Sequence, residues 1–214
     1  MKFTKIITSI IALLFISYSY SQTYVAATNE QKSSLIKLIN EASQNTRTLK
    51  CEFEQEKTVS ILSETIISKG VMYFKKENKL RWQYNQPYPY IFILANGKVT
   101  IKNDNRIDNF DTNSNKMFKT ISEIMIGGVN GDLLKDENNF KSEILVGDNI
   151  IIVKLIPQYK DLAKLMNTIT LSISKQDWLV ESIEMIETGG DNTLIKFTNK
   201  IVNAEVKDDK FIIN

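Results

Sequence analysis

The sequence predicts a mainly β fold of the α+β class, in which helices cover one large, strongly curved antiparallel sheet. Most of the chain alternates apolar and polar residues with a period of two, and short turns such as Asn96-Gly97 separate these segments. Strands joined by hairpin turns exclude a doubly wound parallel sheet. Residues 90–94 and 150–153 are apolar on both faces, so a second layer must cover them, and the helices are the available cover.

One amphipathic helix is predicted to open the domain, from residue 28 to about residue 46. Thr28 and Gln31 fit a capping box at its start. Apolar residues then recur at helical spacing, and these are Leu35, Leu38, Ile39 and Ala42.

About eleven segments are predicted as strands from their period-two patterns and bounding turns. They are 49–59, 63–76, 79–84, 90–94, 98–102, 106–110, 140–146, 150–156, 167–174, 178–186 and 193–199. A second helix interrupts them, since Met117, Phe118, Ile121, Ile124 and Met125 follow helical spacing. Gly127 and Gly128 are predicted to end that helix, and shorter helical pieces are expected at 131–135 and within 157–166.

The first 21 residues are expected to be a secretory signal peptide cleaved after Ser21. Lys2 and Lys5 precede an apolar run and a small-residue pattern. A membrane-spanning anchor needs about 20 apolar residues, roughly twice the length of this run. No cysteine stands at the cleavage point to take a lipid anchor. We therefore expect a soluble periplasmic protein with a single domain at 22–214.

Charge and cysteine content exclude further classes. Without Lys2 and Lys5, the 27 basic residues fall to 25 and equal the 25 acidic residues, so no electrostatic footprint for nucleic acid is expected. Cys51 is the only cysteine, which rules out an internal disulfide. It shares the apolar side of a predicted strand with Leu49 and Phe53, where cysteine acts as a small buried hydrophobe.

No enzyme, metal site or cofactor is predicted. The chain contains no histidine, the commonest general base and zinc ligand. It also lacks a nucleophile elbow and a phosphate-binding loop. A hydrolase based on paired carboxylates remains as a remote alternative, but Asp208-Asp209 and Asp136-Glu137 stand in turn-like polar stretches, where exposure to solvent is the usual state.

A series of short motifs in a fixed order resembles the LolA family of outer-membrane lipoprotein carriers. In the first half they are Phe53, Gln55, Lys69-Gly70, Tyr73 to Lys76, Arg81 to Tyr84, Pro87 and Asn96 to Val99. In the second half they are Pro157, Leu171 to Ile173, Trp178 to Val180, Ile195 to Asn199 and Phe211. The resemblance implies an unclosed, strongly curved antiparallel barrel with a helical lid and an apolar cavity for the acyl chains of a lipoprotein.

The aromatic and methionine-rich faces supply the candidate cavity residues, although such faces also occur in ordinary cores. We predict a cavity without buried charges that is lined by Leu80, Trp82, Tyr84, Phe92, Met117, Phe118, Ile121 and Met125. The resemblance further implies that a monomeric carrier takes its cargo from an inner-membrane lipoprotein-releasing transporter and delivers it to an outer-membrane acceptor.

One position departs from the family pattern. The family often carries an arginine followed by proline after the second strand, and that arginine helps to hold the lid closed. Lys76 and Glu77 occupy these positions here. Lysine keeps the charge but lacks the planar fork of donors. Our hypothesis is that Lys76 contacts the lid.

The sequence leaves two alternatives within the same fold. The cavity could hold another lipid, such as a glycolipid or a pigment lipid, or the protein could sense lipoproteins in a stress response. The residues do not separate these functions from lipoprotein carriage.

Overall fold

The computed structural model describes residues 23–62, 64–112, 114, 116–130 and 132–213. For 116–118, 120, 121, 128, 130, 132 and 135 the description covers the backbone only. The predicted signal peptide lies outside these residues. The fold is a mainly β, antiparallel sheet that does not close on itself and carries few helices. The predicted fold class is confirmed.

The twelve described strands account for most of the chain. They are β1 (Val25–Ala26), β2 (Thr48–Val59), β3 (Glu64–Lys75), β4 (Lys79–Gln86), β5 (Tyr90–Ala95), β6 (Lys98–Asn103), β7 (Arg106–Asp111), β8 (Phe140–Val146), β9 (Ile150–Pro157), β10 (Met166–Ser174), β11 (Val180–Glu187) and β12 (Asn192–Val202). The helices are α1 (Asn29–Asn45), α2 (Lys116–Asn130) and α3 (Lys160–Ala163), with 3-10 helices at Asp132–Lys135 and Asp208–Phe211.

All twelve strands form a single sheet in the order β1-β8-β9-β10-β11-β12-β2-β3-β4-β5-β6-β7. Every neighbouring pair is antiparallel, and the longest ladder joins β2 to β3 from Thr48↔Lys75 to Val59↔Glu64. The pairing of β12 with β2 joins the last strand to the first long strand in the middle of the sheet. β1 and β7 form its two edges.

The predicted helix at the start is confirmed as α1. Thr28 Oγ1 accepts a hydrogen bond from the Gln31 backbone N–H at 3.3 Å, and Gln31 Oε1 accepts one from the Thr28 backbone N–H at 2.9 Å. This reciprocal capping box fixes where the helix begins. Its inner face buries Ile39 and packs Leu35 and Ile36 against the core, so α1 covers part of the concave side of the sheet.

The cover of the convex side differs from the prediction. On β5, Phe92 and Leu94 face the concave core, whereas Ile93 is buried on the convex side with Val206 and Phe211. The segment that follows β12 therefore covers the convex side at β5, and not the long helices. Arg81 Nη1 donates to the Lys210 carbonyl at 3.0 Å and helps to hold the segment in place. The covering role of this segment could not be predicted from the sequence, because the segment has neither helical nor strand periodicity.

The predicted end of α2 is wrong, since the helix continues through both glycines to Asn130. A Cβ at Gly127 would lie 2.8 Å from Leu133 Cγ. Leu133 is buried in the 3-10 helix that follows α2. Gly127 therefore permits close packing between two successive helical turns, and it does not cap α2. No helix within the described residues is long and apolar enough to cross a lipid bilayer.

Cys51 lies in the core with 1% of its surface exposed. Burial raises the pKa of its thiol from 9.0 to about 12, against the opposing charge of Lys200. Because the pKa is higher in the folded state, the neutral thiol contributes its full stabilisation of the fold below about pH 9. This contribution is lost as the pH rises from about 9 to about 12.

The Cys51 thiol of the folded protein should be almost unreactive at pH 8. Because the thiolate is the nucleophile, we expect the folded protein to react with Ellman's reagent on the order of 100-fold or more slowly than the chain unfolded in urea. Stopped-flow absorbance measures both rates. Equal rates in the two states would contradict the buried placement.

Candidate functional site

An apolar cavity of about 690 Å³ lies between the concave face of the sheet and α2. Its wall is contributed by five strands, two helices and the connection around α3. The lining residues are Gln55, Trp82, Tyr84, Ile124, Met125, Val129, Tyr159, Asp161, Leu162, Leu165, Met166, Ile169, Ile183, Met185, Glu187 and Ile195.

Cross-strand pairs of branched and unbranched aliphatic residues form the floor of the cavity. Ile183 of β11 pairs with Ile195 of β12, and Ile169 of β10 pairs with Met185 of β11. Opposed residues in an antiparallel sheet point to the same face. The alternation of these strands therefore directs a continuous apolar surface into the cavity.

Helix α2 forms the roof of the cavity through Ile124, Met125 and Val129. Met125 and Val129 are four residues apart and so lie on the same face of the helix. Together with Met166 and Met185, Met125 gives the cavity three flexible thioether side chains, which adapt to irregular apolar shapes. The wall therefore suits a ligand of variable apolar shape.

Charged side chains stand at the rim of the cavity, where they are paired. Glu187 Oε1 lies 2.9 Å from Lys57 Nζ, which also lies 3.8 Å from Asp191 Oδ2. Hydrogen bonds from the Ser60 backbone N–H and hydroxyl lower the pKa of Asp191. Asp161 has a side chain that is 59% exposed, 4.0 Å from Lys164 Nζ. Among the described lining residues, the charged ones are thus confined to the solvent side.

A group of aromatic rings forms one wall. The Phe53 ring lies 4.7 Å from Trp82 and 5.0 Å from Tyr84 between centroids. Tyr84 donates a hydrogen bond from its hydroxyl to Gln55 Oε1 at 2.8 Å. Burial raises the pKa of Tyr84 to about 12, so its phenol is neutral throughout the physiological range. This wall combines apolar ring faces with a few neutral polar atoms.

The predicted cavity residues are distributed between the cavity and the core. Trp82, Tyr84 and Met125 line the cavity. Leu80 and Phe92 lie on the same concave face but in the packed core, with 0% and 7% of their surface exposed. Beside Leu80 the interior is filled by the bulky residues of the neighbouring strands, including Phe74 and Leu94. The side chains of Met117, Phe118 and Ile121 lie outside the described residues.

The residues that form the floor and the rim of the cavity were not predicted from the sequence. Ile169, Ile183 and Ile195 alternate as in any half-buried strand, and nothing in the sequence marks them as facing a cavity. Met166 and Met185 offered the one available signal, because methionine on the inner face of a strand often marks an adaptable surface. No group of three metal-binding side chains occurs within the described ranges.

Lys76 contacts α1. Its Nζ donates to the Gln44 carbonyl at 2.8 Å, in the last turn of that helix. A cation at this position satisfies a free carbonyl and interacts favourably with the helix dipole. Because α1 packs against α2, Lys76 fixes a helix that supports the roof of the cavity. Its predicted role in lid opening remains a prediction.

Replacing Lys76 with alanine is expected to loosen the C-terminal end of α1. We expect the free energy of unfolding to fall by about 0.5–1 kcal/mol, and the amides of α1 to exchange faster in hydrogen–deuterium exchange. Lys37→Ala is the matched control, since the ion pair of Lys37 with Glu41, at 3.9 Å, is exposed and lies within α1. Unchanged exchange in Lys76→Ala, together with unchanged cargo retention, would refute the lid hypothesis.

The comparisons with known proteins agree with this architecture. The model of the family described as "Outer membrane lipoprotein carrier protein LolA" matches residues 44–214. No curated protein matches the sequence.

Solved structures share the fold at low sequence identity. The chain is similar to MucB, with a TM-score of 0.53, 10% identity and coverage of 86% of this chain and 63% of MucB. For the Pseudomonas aeruginosa MucA/MucB complex the TM-score is 0.49, with 11% identity and coverage of 86% and 61%. For the LolA superfamily protein NE2245 from Nitrosomonas europaea the TM-score is 0.46, with 7% identity and coverage of 85% of this chain and 97% of NE2245.

The chain spans about three fifths of the length of the MucB chains, and at such identities the likeness concerns the fold alone. The family match has a wider consequence, because it covers most of the sequence and includes every element from β2 onward. The chain therefore belongs to the LolA family of outer membrane lipoprotein carrier proteins.

Proposed function

We propose that this protein is a periplasmic carrier that holds the acyl chains of lipoproteins in its cavity and shuttles them from the inner to the outer membrane. The observation that carries the proposal is the apolar cavity of about 690 Å³ between the sheet and α2. Among the described lining residues the interior is apolar and the charges stand at the rim, an arrangement that suits aliphatic chains. The membership of the LolA family supports the choice of lipoproteins as cargo.

The size of the cavity limits how the cargo is held. Cavities of about 300–1,000 Å³ enclose a ligand of ordinary drug size. Three acyl chains with about 15 methylenes each are larger than that. The carrier therefore encloses part of the chains, and the remainder is accommodated by movement of α2 or projects from the rim.

The energetics agree with partial enclosure. Burial of acyl chain stabilises a complex by about 0.8 kcal/mol per methylene. Complete burial of three such chains would exceed the practical limit of about 21 kcal/mol for non-covalent binding. A shuttle must release its cargo, so partial burial serves its function better than complete burial.

An exposed apolar patch borders the same end of the molecule. The turn between β2 and β3 exposes 89% of Ile61 and 61% of Leu62. Ser60 joins this turn to the rim through a hydrogen bond to Asp191 Oδ1 at 3.1 Å. Patches of this kind mark interaction sites. A carrier needs one where it meets the inner-membrane transporter and the outer-membrane acceptor.

Native mass spectrometry of the protein purified from the periplasm of its own host tests the proposal. We expect a bound diacylated or triacylated protein, released from a monomer of the carrier. A free glycolipid or pigment lipid in its place would favour export of another lipid by the same fold. An empty protein that also fails to extract lipoproteins from membranes would contradict both functions.

A further inference from the structure

Gln55 places a carboxamide on the wall of the cavity. It lines the cavity from β2, where it pairs with Ser68 of β3 and with Ile195 of β12. On the same face of β2, Phe53 is buried in the core and Lys57 forms the ion pair with Glu187 at the rim. Gln55 therefore stands between the packed core and the mouth of the cavity.

Two neighbouring side chains fix the orientation of this carboxamide. The ring N–H of Trp82 can only donate, and its pairing with the Tyr84 oxygen opposes the effect of burial, which raises the pKa of Tyr84 to about 12. The Tyr84 hydroxyl directs its own proton to Gln55 Oε1, at a distance of 2.8 Å. Because Oε1 is held by this hydrogen bond, Nε2 is the free end of the Gln55 carboxamide.

The Nε2 atom of Gln55 is a donor that a ligand can reach. It donates no hydrogen bond to an acceptor among the described residues, and it is not one of the buried polar atoms that lack a partner. Nε2 therefore keeps accessible surface. Since Gln55 points to the concave face and lines the cavity, the two N–H bonds of Nε2 are available to a molecule bound there.

The surroundings select the kind of acceptor that this donor can take. The charged side chains among the described lining residues, Asp161 and Glu187, are both acidic, so a carboxylate or phosphate finds no cation on that wall. A neutral acceptor that enters with aliphatic chains remains, and a carbonyl oxygen is a strong one. Resting on the proposed function, we infer that Gln55 Nε2 donates a hydrogen bond to the carbonyl oxygen of an acyl ester or amide in the cavity.

The position of Gln55 sets how deep the acyl linkage lies. Gln55 is two residues from Lys57 along β2, which corresponds to about 7 Å between their Cα atoms. An apolar wall gives aliphatic chains little preference for one position, whereas a directional hydrogen bond holds the linkage beside Gln55 and leaves the rest of the cavity to the chains. The cavity thereby distinguishes acyl chains from alkyl chains of the same length.

Binding of matched neutral lipids tests the inference. The probes are 1,2-dioctanoylglycerol, its dioctyl ether analogue and N-octanoylsphingosine, which offer ester carbonyls, no carbonyl and an amide carbonyl, respectively. We expect the wild-type protein to bind the ester about threefold to tenfold more tightly than the ether. Gln55→Met, which keeps the length of the side chain and removes the donor, should bring this ratio close to one.

Gln176→Met is the matched control. Gln176 is exposed in the turn between β10 and β11 and lies outside the cavity lining. The same change of side chain at this position should leave the ratio of ester to ether affinity at the wild-type value. A ratio that falls equally in both variants would overturn the assignment of the donor to Gln55.

A spectroscopic measurement on the wild-type protein makes the test independent of how the variants fold. The side-chain amide of Gln55 gives a pair of resonances in a ¹H–¹⁵N spectrum, which are assigned through bonds from the Gln55 backbone. One of the pair should move further downfield with the ester than with the ether. The amide probe shows whether one linkage or both are recognised, and a downfield shift with either supports the inference.

Two results separate the possible failures. Equal affinity for ester and ether, with equal positions of the Gln55 side-chain resonances, would overturn the hydrogen bond and leave acyl carriage intact. Failure of the wild-type protein to bind any of the three probes would count against the proposed function and with it this inference.

Discussion

Replacing Gly70 with alanine is expected to destabilise the fold by about 3 kcal/mol or more. A Cβ at this position would collide with the Gln83 carbonyl oxygen of β4 and would lie 2.6 Å from Phe53 Cζ. The ladder between β3 and β4 shifts register between Lys69 and Gly70, and this irregularity brings the Gln83 backbone close. Neither a backbone carbonyl nor a ring in the packed core can move away cheaply.

Urea unfolding followed by circular dichroism measures this effect. Gly189→Ala is the control, because a Cβ there meets nothing within 4 Å; its effect should stay within about 0.5 kcal/mol. If Gly70→Ala unfolds at the same urea concentration as the wild type, the close approach of β4 to Gly70 is wrong. Loss of the folded state in Gly70→Ala alone would agree with the prediction.

Replacing Met185 with glutamate is expected to weaken acyl binding by about 100-fold, because a carboxylate facing an apolar ligand must lose its hydration when the ligand enters. Met185 lines the cavity floor opposite Ile169. It is only partly buried, and in the absence of ligand the new charge remains near the solvent side of the cavity. The variant should therefore fold.

The matched control is Ile186→Glu. Ile186 is the next residue of β11, is 36% exposed and points to the opposite face of the sheet. Both variants add one negative charge to the same strand, so a general effect of charge would appear in both. Fluorescence titration with a neutral labelled monoacylglycerol gives the affinities, and thermal unfolding reports on folding. Equal affinities for the two variants would show that acyl chains bind elsewhere.

The sequence was sufficient for most of the sheet because the strand signals are local. The eleven predicted strands coincide with β2 to β12 to within three residues at each end. β1 was missed, since its two residues have no period and are held only by pairing with Val146 and Leu145 of β8. Gly127 was misinterpreted for a related reason, because its role depends on Leu133, which no pattern within the helix reveals.

The candidate site was harder to predict, since a cavity forms where the neighbouring side chains leave space unfilled. Leu80 and Trp82 are equivalent in the sequence pattern of β4 and point to the same face. Only the packing of the neighbouring strands places Leu80 in the core and Trp82 at the edge of an open space. The alternation of a strand determines which side chains point inward, but it does not determine where the interior is left empty.

The open arrangement of the sheet has a consequence for how far the cavity can expand. A closed barrel has a circumference fixed by its number of strands and its shear, so its interior can expand only by breaking a complete ladder. Here the order of strands ends at β1 on one side and β7 on the other. The edge strands β1 and β7 can therefore move closer together or further apart, which changes the curvature of the sheet, while every hydrogen-bonded ladder stays intact. Under the proposed function, one carrier can in this way fit lipids that differ in the number and length of their chains.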